Sequence, residues 1–255
     1  MRYAWILALF LAPAAHADGG FGADVLFLGE VHDNPAHHLK QAEIITQVVP
    51  KAVVWEMLTP DQAARVTPDA QDLGDLLQWE ESGWPDFAIY APVFDAANEA
   101  THYGAAIPRD QARAVMQTPI AEVFGADAAQ FGLDQALSED QQTAREAMQM
   151  AAHCDALPAE MLPMMVDIQR LRDAELARQA LKAHTDTGGP VVVITGNGHA
   201  RMDWGAPAAL TLAAPDLHIY ALGQGEAGRG APDGVFNALK EAAPVDRGDP
   251  CEAFK

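Results

Sequence analysis

Glu30, His32, Glu56 and His199 are the residues of this chain whose types and placement point most directly to chemistry. Two imidazoles and two carboxylates form a reasonable shell for zinc or another first-row divalent ion. In a hydrolase such an ion would lower the pKa of bound water towards neutral. Glu30 or Glu56 would then shuttle the proton, and His199 would be indispensable. Glu30 and His32 stand two apart, so an extended backbone points them the same way. Asp33 is placed to orient an imidazole. His37 and His38 crowd the same stretch, but His-x4-His and His-x5-His across a turn are not specific metal signatures. The competing reading of each histidine is a hydrogen-bonded structural residue. His102, His184 and His218 lack such company and read as structural or solvated.

The elements that must position these groups are legible around them. Val25 to Leu28 (VLFL) is a short apolar run suited to a strand covered on both faces, and Gly29 breaks it. Asn34 is a good N-cap and Pro35 fits the first helical position. The helix should run over Ala36–Val49, with Leu39, Ala42, Ile45 and Val49 on its apolar face. Its N-terminus disfavours a cation and should keep His37 or His38 neutral. Ala52 to Trp55 is a second buried strand closing at Glu56, and the β–helix–β spacing indicates a right-handed parallel unit. Val191 to Thr195 is the strongest buried strand and runs into Gly196-Asn197-Gly198-His199. These glycines suggest a tight turn with positive φ. With parallel strands, Glu30, His32, Glu56 and His199 meet at the carboxyl edge of one sheet, where such folds place their ligands.

Between these landmarks, Thr59 to Val66 reads as a short helix. Trp79, Trp84, Phe87, Tyr90 and Phe94 form an aromatic block, either a satellite core on the sheet or the apolar wall of a ligand pocket. Tyr103 to Ile107 suggests a third strand. Ser138 caps a helix to Ala152 with Gln141 completing a capping box. A longer helix from Pro158 to about His184 carries a stripe of Met161, Met164, Met165, Ile168, Leu171 and Leu176, read as malleable core. Together these form a helical insertion. Asp203 to Leu212 is helical, Leu217 to Ala221 is a last strand, and the tail from Gly223 is loop-rich. The expected class is α/β: a parallel-sheet core with flanking helices and an inserted helical subdomain over about 110–187.

The chain of 255 residues suits one well-cored domain. Residues 1–17 have the pattern of a cleavable signal peptide: Arg2, an apolar stretch from Ala4 to Ala12, and Ala15-His16-Ala17. The mature chain, 18–255, is then expected in the periplasm or secreted. No cysteine stands near the cleavage site to take a lipid, and no later run is long enough to span a bilayer. In an exported chain, Cys154 and Cys251 are expected to form a disulfide pinning the tail to the helical region. A formal charge of −20 disfavours nucleic acid and anionic lipid as partners. Ser82 and Ser138 are the serines of the mature chain and neither sits in a G-x-S-x-G elbow. No P-loop or dinucleotide fingerprint is present. Arg109 and Arg201 could hold a carboxylate or a propionate, or pair with one of the many acids.

Several blocks taken together resemble the ChaN family. They are LGEVHDNPAHHLKQ, Trp55-Glu56, ESGWPDF followed by IYAPVF, IPRD, the pattern from Gln169 to Ala177, and ITGNGHARMDWGAP. The match runs in order from about Asp24 to Tyr220. ChaN-like proteins are exported, often iron-regulated haem binders. They are grouped with the haem-binding-uptake/Tiki superfamily, which includes TraB, erythromycin-esterase-like and Tiki proteins. The resemblance implies a haem-binding α/β domain with an inserted helical segment, and a homodimer holding haem between subunits. It places no haem ligand by motif. Tyrosinate suits ferric iron, and Tyr90, in the matching aromatic block, is preferred over Tyr103 and Tyr220; His37, His38, Arg109 and Arg201 join it as candidate haem contacts. The same resemblance implies the alternative. Tiki-type members use a GxxH-like motif, matched by Gly29-Glu30-Val31-His32, with a glutamate and a distal histidine, in a metal-dependent hydrolytic site. Glu30, His32, Glu56 and His199 match that pattern.

Overall fold

The computed structural model describes residues 21–248 and 251–252. The expected signal peptide lies outside the described residues. Six strands form one parallel sheet in the order β3-β2-β4-β1-β5-β6. They are β1 (Val25–Glu30), β2 (Ala52–Trp55), β3 (Thr101–Gly104), β4 (Val191–Gly196), β5 (Ile219–Glu226) and β6 (Ala238–Ala242). Every strand pair is parallel. β1 and β4 pair at the centre, with Glu30 opposite Gly196. From β1 the chain travels to β2 on one side of this pair, and from β4 it travels to β5 on the other. The crevice beyond the carboxyl ends of β1 and β4 is therefore the switch point at which such sheets bind ligands.

Strand residues alternate between two covered faces. Leu26, Leu28, Val53, Trp55, Val192 and Ile194 pack on one side with α1 (Pro35–Val48). The same side takes the short helices α2 (Pro60–Ala63), α3 (Leu73–Leu76) and α4 (Trp79–Ser82), and the longer α5 (Phe87–Ala96). Val25, Phe27, Val54, Val191 and Val193 pack on the other side. The segment from β3 to β4 is helical: α6 (Arg109–Arg113), α7 (Ile120–Phe124), α8 (Glu139–Ala152) and α9 (Leu162–Thr187). The second half of α9 lies on the sheet through Leu171, Ala174, Ala177 and Ala180, and α8 packs against α9. Two helices follow β4: the single-turn α10 (Asn197–Ala200), then α11 (Ala206–Ala213) on the same face as α9.

Several expectations are corrected. Gly29 does not break β1; it continues the strand, paired with Thr195, and it must lack a side chain because a Cβ would meet Asn197 Oδ1 at 2.5 Å. Asn197 then bridges to β5, donating to the Gln224 carbonyl at 2.8 Å and accepting from the Gln224 N–H at 2.9 Å. The Gly196–Gly198 turn uses no positive φ; Gly196 caps α10 at φ −63°, and it must be small because a Cβ there would lie 2.9 Å from His32 Nε2. Leu39 and Val49 do not face the core; they are 58% and 69% exposed. The buried face of α1 is His37, His38, Gln41, Ile44, Ile45 and Val48. Of the stripe expected on α9, Leu171 and Leu176 are buried as expected, whereas Met161, Met164, Met165 and Ile168 are half-buried, with Leu162 and Val166 buried beside them. β5 runs on to Glu226, and β6 follows where loop was expected. Ser138 accepts from the Gln141 N–H, one half of the expected capping box. Cys154 and Cys251 are joined by a disulfide, as expected.

Candidate functional site

Glu30 ends β1 wholly enclosed, and its carboxylate is the hub of the switch-point crevice. Oε1 accepts from Tyr90 Oη at 2.9 Å and from His32 Nδ1 at 2.8 Å. Oε2 accepts from Gln41 Nε2 at 2.7 Å, with His38 Nδ1 at 3.4 Å. Burial alone would raise the pKa of Glu30. The hydrogen bonds from His32 and His38 outweigh it and hold the carboxyl well below the usual carboxylate range. The same contacts raise both imidazoles against their own burial. His38 shows why in its geometry: Nε2 donates to the His32 carbonyl at 2.9 Å, and Nδ1 faces the acceptors of Gln41 and Glu30. Both nitrogens are donors, which requires the imidazolium.

His37 takes the opposite state. The Val31 N–H donates to its Nδ1 at 3.0 Å, so Nε2 carries the proton and donates to the Gly225 carbonyl at 3.1 Å. Burial pushes its pKa down and it is neutral. One of the two histidines at the start of α1 is thus neutral, as expected. The buried ring and its two partners account for that, beyond any helix dipole.

The second half of the crevice is built on β2 and β4. Glu56 Oε2 accepts from Thr195 Oγ1 at 2.6 Å and from the Gly196 N–H at 2.7 Å. Its Oε1 lies 3.6 Å from His199 Nε2. His199 Nδ1 is held by Asp173 of α9 at 2.7 Å. Burial opposes charge on His199, but Glu56 and Asp173 together raise its pKa. Glu56 is lowered, its burial outweighed by His199 and His32. Asp173 is raised because burial dominates. The crevice therefore holds two imidazole–carboxylate units side by side, with His32 Nε2 and Glu56 Oε2 flanking Gly196.

Glu30, His32, Glu56 and His199 are brought together as their strand-end positions predict. Among the described residues one hydrogen bond, His32 to Glu30, joins two of the four, the rest going to neighbours such as Tyr90, Gln41, Thr195 and Asp173, and no group of three or more such side chains is arranged to hold a metal ion. The other candidates scatter. Tyr90 is fully buried and donates to Glu30 and to the His32 carbonyl. Burial and the Glu30 charge push its pKa far up, which opposes the tyrosinate expected of a haem ligand. His37 and His38 have both nitrogens committed inside the protein. Arg201 is buried, makes a two-pronged ion pair with Asp203 and stacks on Trp204 at 3.7 Å, so the ion-pair reading holds for it. Asp33 orients no imidazole; it pairs with Arg247. His218 is solvated at 82% exposure, and His102 is buried against Trp55.

Arg109 does reach a site. It lines a cleft of about 390 Å³ beside the crevice, together with Glu56, Met57, Trp84, Ile107 and Arg172. Trp84 packs edge-on against His32 at 4.8 Å. The aromatic block serves both readings: Trp79, Tyr90 and Phe94 are core, while Trp84 stands at the cleft. Arg109 and Arg172 are exposed and make no ion pair among the described residues. Sequence reasoning missed Gln41, Asp173 and Arg172. The last two lie in the Gln169–Ala177 pattern, where only their place in a helical repeat was visible.

The architecture is a parallel α/β fold with paired Glu/His units at the switch point and an arginine-rimmed cleft beside them. The sequence matches the family described as "Haem-binding uptake, Tiki superfamily, ChaN" over residues 21–210, and the chain belongs to that family. Among solved structures it is similar to ChaN of Campylobacter jejuni, described for cofacial haem binding. The TM-score is 0.61 at 18% identity, over 82% of this chain and 84% of that one. It is also similar, more distantly, to an erythromycin esterase mutant in its open conformation, with TM-score 0.46 at 12% identity over 84% of this chain and 72% of that one. A third likeness is the type III effector HopBA1, with TM-score 0.42 at 12% identity over 87% and 88% of the two chains. These likenesses bear on the fold alone. No curated protein sequence matches the chain significantly.

Proposed function

We propose that this chain is an exported haem-binding protein that handles haem or takes up haem iron without turnover. The carrying observation is the cleft: an apolar wall of Met57, Trp84, Ile107 and Leu176, with Glu56 at its inner end, rimmed by Arg109 and Arg172, neither of which makes an ion pair among the described residues, in a chain of formal charge −20. Two cations beside apolar surface in so acidic a protein suit a planar apolar dianion. Haem fits that description through its ring and propionates, and when bound it supplies the iron chemistry. Arg109 and Arg172 would hold the propionates and Trp84 the ring. His32 Nε2 would be the nitrogen that meets the iron: among the described residues it makes no hydrogen bond and its side chain is 36% exposed, and because its carboxylate neighbours hold the imidazole protonated, binding would require it to give up that proton. Its Nδ1 is fixed by Glu30, as a ligating imidazole is usually fixed from behind.

The signal-peptide pattern of residues 1–17 supports export to the periplasm or beyond. Among the described residues no helix is long and apolar enough to cross a membrane. The cofacial haem binding of the C. jejuni protein supports a homodimer in which two copies share stacked haems. The alternative, a metal-dependent hydrolase using Glu30, His32, Glu56 and His199, is less favoured. Glu30 already accepts from Tyr90, His32 and Gln41, and Glu56 from Thr195 and Gly196.

A haemin titration read in the Soret band tests the proposal. Saturable binding at fixed stoichiometry is expected. Affinity should fall about tenfold in the Arg109→Ala/Arg172→Ala double variant, and the Soret maximum should shift in His32→Ala. Absence of saturable binding in the wild type refutes haem handling. An unmoved Soret maximum in His32→Ala refutes His32 as the iron's nitrogen.

A further inference from the structure

The arginine-rimmed cleft also holds a carboxylate at its inner end. Glu56 lines it with a side chain only 11% exposed, whereas Arg109 and Arg172 are exposed. The two oxygens of Glu56 are used unequally. Oε2 accepts from Thr195 Oγ1 and the Gly196 N–H, which ties the end of β2 to the end of β4. Oε1 accepts no hydrogen bond among the described residues and stands 3.6 Å from His199 Nε2, outside hydrogen-bonding range. That imidazole is engaged from behind by Asp173 at 2.7 Å, so two carboxylates share one imidazole. A Cβ on Gly196 would lie 2.9 Å from His32 Nε2 and 3.8 Å from Glu56 Oε2, which sets the Glu56 carboxylate beside the nitrogen proposed to meet the iron. Charge along the cleft therefore runs from two guanidiniums at the mouth, past apolar walls, to a carboxylate with one oxygen outside the hydrogen-bond network.

We propose that Glu56 is a specificity-determining residue that selects the occupant of the cleft by the charge at its centre, a role that rests on that occupant being a porphyrin. It favours a metalloporphyrin whose core carries net positive charge, as a trivalent metal in the porphyrin dianion does, over one whose core is neutral. Arg109 and Arg172 cannot make this distinction, because they would meet propionates that all such ligands share. Glu56 can, because a carboxylate in a largely enclosed site acts on a nearby charge with little screening. A neutral core shuts the same carboxylate off from water and gives it no compensating charge. The residue thus sorts oxidised, cationic haem from its neutral-core relatives, while the rim and the apolar wall bind them all alike.

Titration of the haem-free protein with the gallium(III), zinc(II) and metal-free forms of protoporphyrin IX tests this, read as quenching of tryptophan fluorescence, since Trp84 lines the cleft. The three share propionates and ring, gallium and zinc both accept an axial ligand, and neither metal changes oxidation state. The gallium(III) form should bind about tenfold more tightly than the other two. Glu56→Gln keeps an acceptor for Thr195 and the Gly196 N–H but removes the charge, and should narrow that preference to about twofold. Glu56→Ser also removes the charge and serves where Glu56→Gln alters the far-ultraviolet circular dichroism. Equal affinity of the wild type for the gallium and zinc forms, or an unchanged preference in a folded variant, overturns the role of Glu56 and leaves haem handling standing. No saturable binding of any of the three overturns both.

Discussion

His102 provides a quantitative test of how the sheet supporting the crevice is held. It sits on the edge strand β3, and the Trp55 indole N–H donates to its Nδ1 at 2.9 Å. Trp55 immediately precedes Glu56 and stacks on Phe94 at 4.0 Å. With Nδ1 accepting, the proton must be on Nε2, which is buried without a partner. Protonating Nδ1 would turn one N–H against another and bury a charge. Burial accordingly pushes the pKa of His102 from 6.5 down to about 4. The unfolded chain therefore binds a proton between these values that the folded chain does not, and acid favours unfolding. Stability falls as the pH drops through this window and is unaffected above it. Linkage gives a loss of about 2 kcal/mol between pH 7 and pH 5, and about 3 kcal/mol by pH 4. Urea unfolding of wild type and His102→Gln at pH 7, 5 and 4 isolates the term, since Gln can accept from Trp55 but does not titrate. His32, His38 and His199 titrate with the opposite sign and cancel in the difference. Parallel pH curves for the two proteins would refute the reasoning.

Removing the hub charge with Glu30→Gln strands His38 as a buried cation and leaves the partly exposed His32 without its counter-charge, and should cost about 3–5 kcal/mol in urea unfolding; a cost under about 1 kcal/mol would show that the carboxylate is not the organising group. Asn197→Ala loses both bonds to the Gln224 backbone and should cost about 2 kcal/mol, read as a lowered thermal midpoint; an unchanged midpoint contradicts the bridge. Replacing both cysteines by serine opens a loop with a sequence separation of 97 residues and should lower stability by about 5 kcal/mol in the chain-entropy account, checked against the oxidised wild type by urea unfolding.

Much of the crevice was legible because strand ends are where a short apolar run stops. Val25–Leu28, Ala52–Trp55 and Val191–Thr195 announce themselves as doubly covered strands, and parallel pairing then carries Glu30, His32, Glu56 and His199 to one edge. The α1 face was misread for a physical reason. Hydropathy assigns His37, His38 and Gln41 to solvent, yet each is buried against a polar partner that the helix alone does not reveal. Tyr90 suits iron by residue type alone. Its place inside the protein follows from α5 packing on α1, where it meets His38 and reaches Glu30, a long-range arrangement with no local signal. β6 escaped notice because an edge strand of sequence ALKEA is mostly exposed and carries no buried pattern.

The position of β1 has a consequence for how the chain acquires its structure. Val25 pairs with Val191 on one side and Ile219 on the other, so the first strand made is completed only by the last third of the polypeptide. No early portion of the chain can close the centre of the sheet, and contacts so distant in sequence are slow to form. A nascent chain ending before β4 therefore has its β1 hydrophobic stretch and the Glu30 cluster unsheltered. The sheet's centre and the crevice then assemble in the same event, when β4 and β5 arrive.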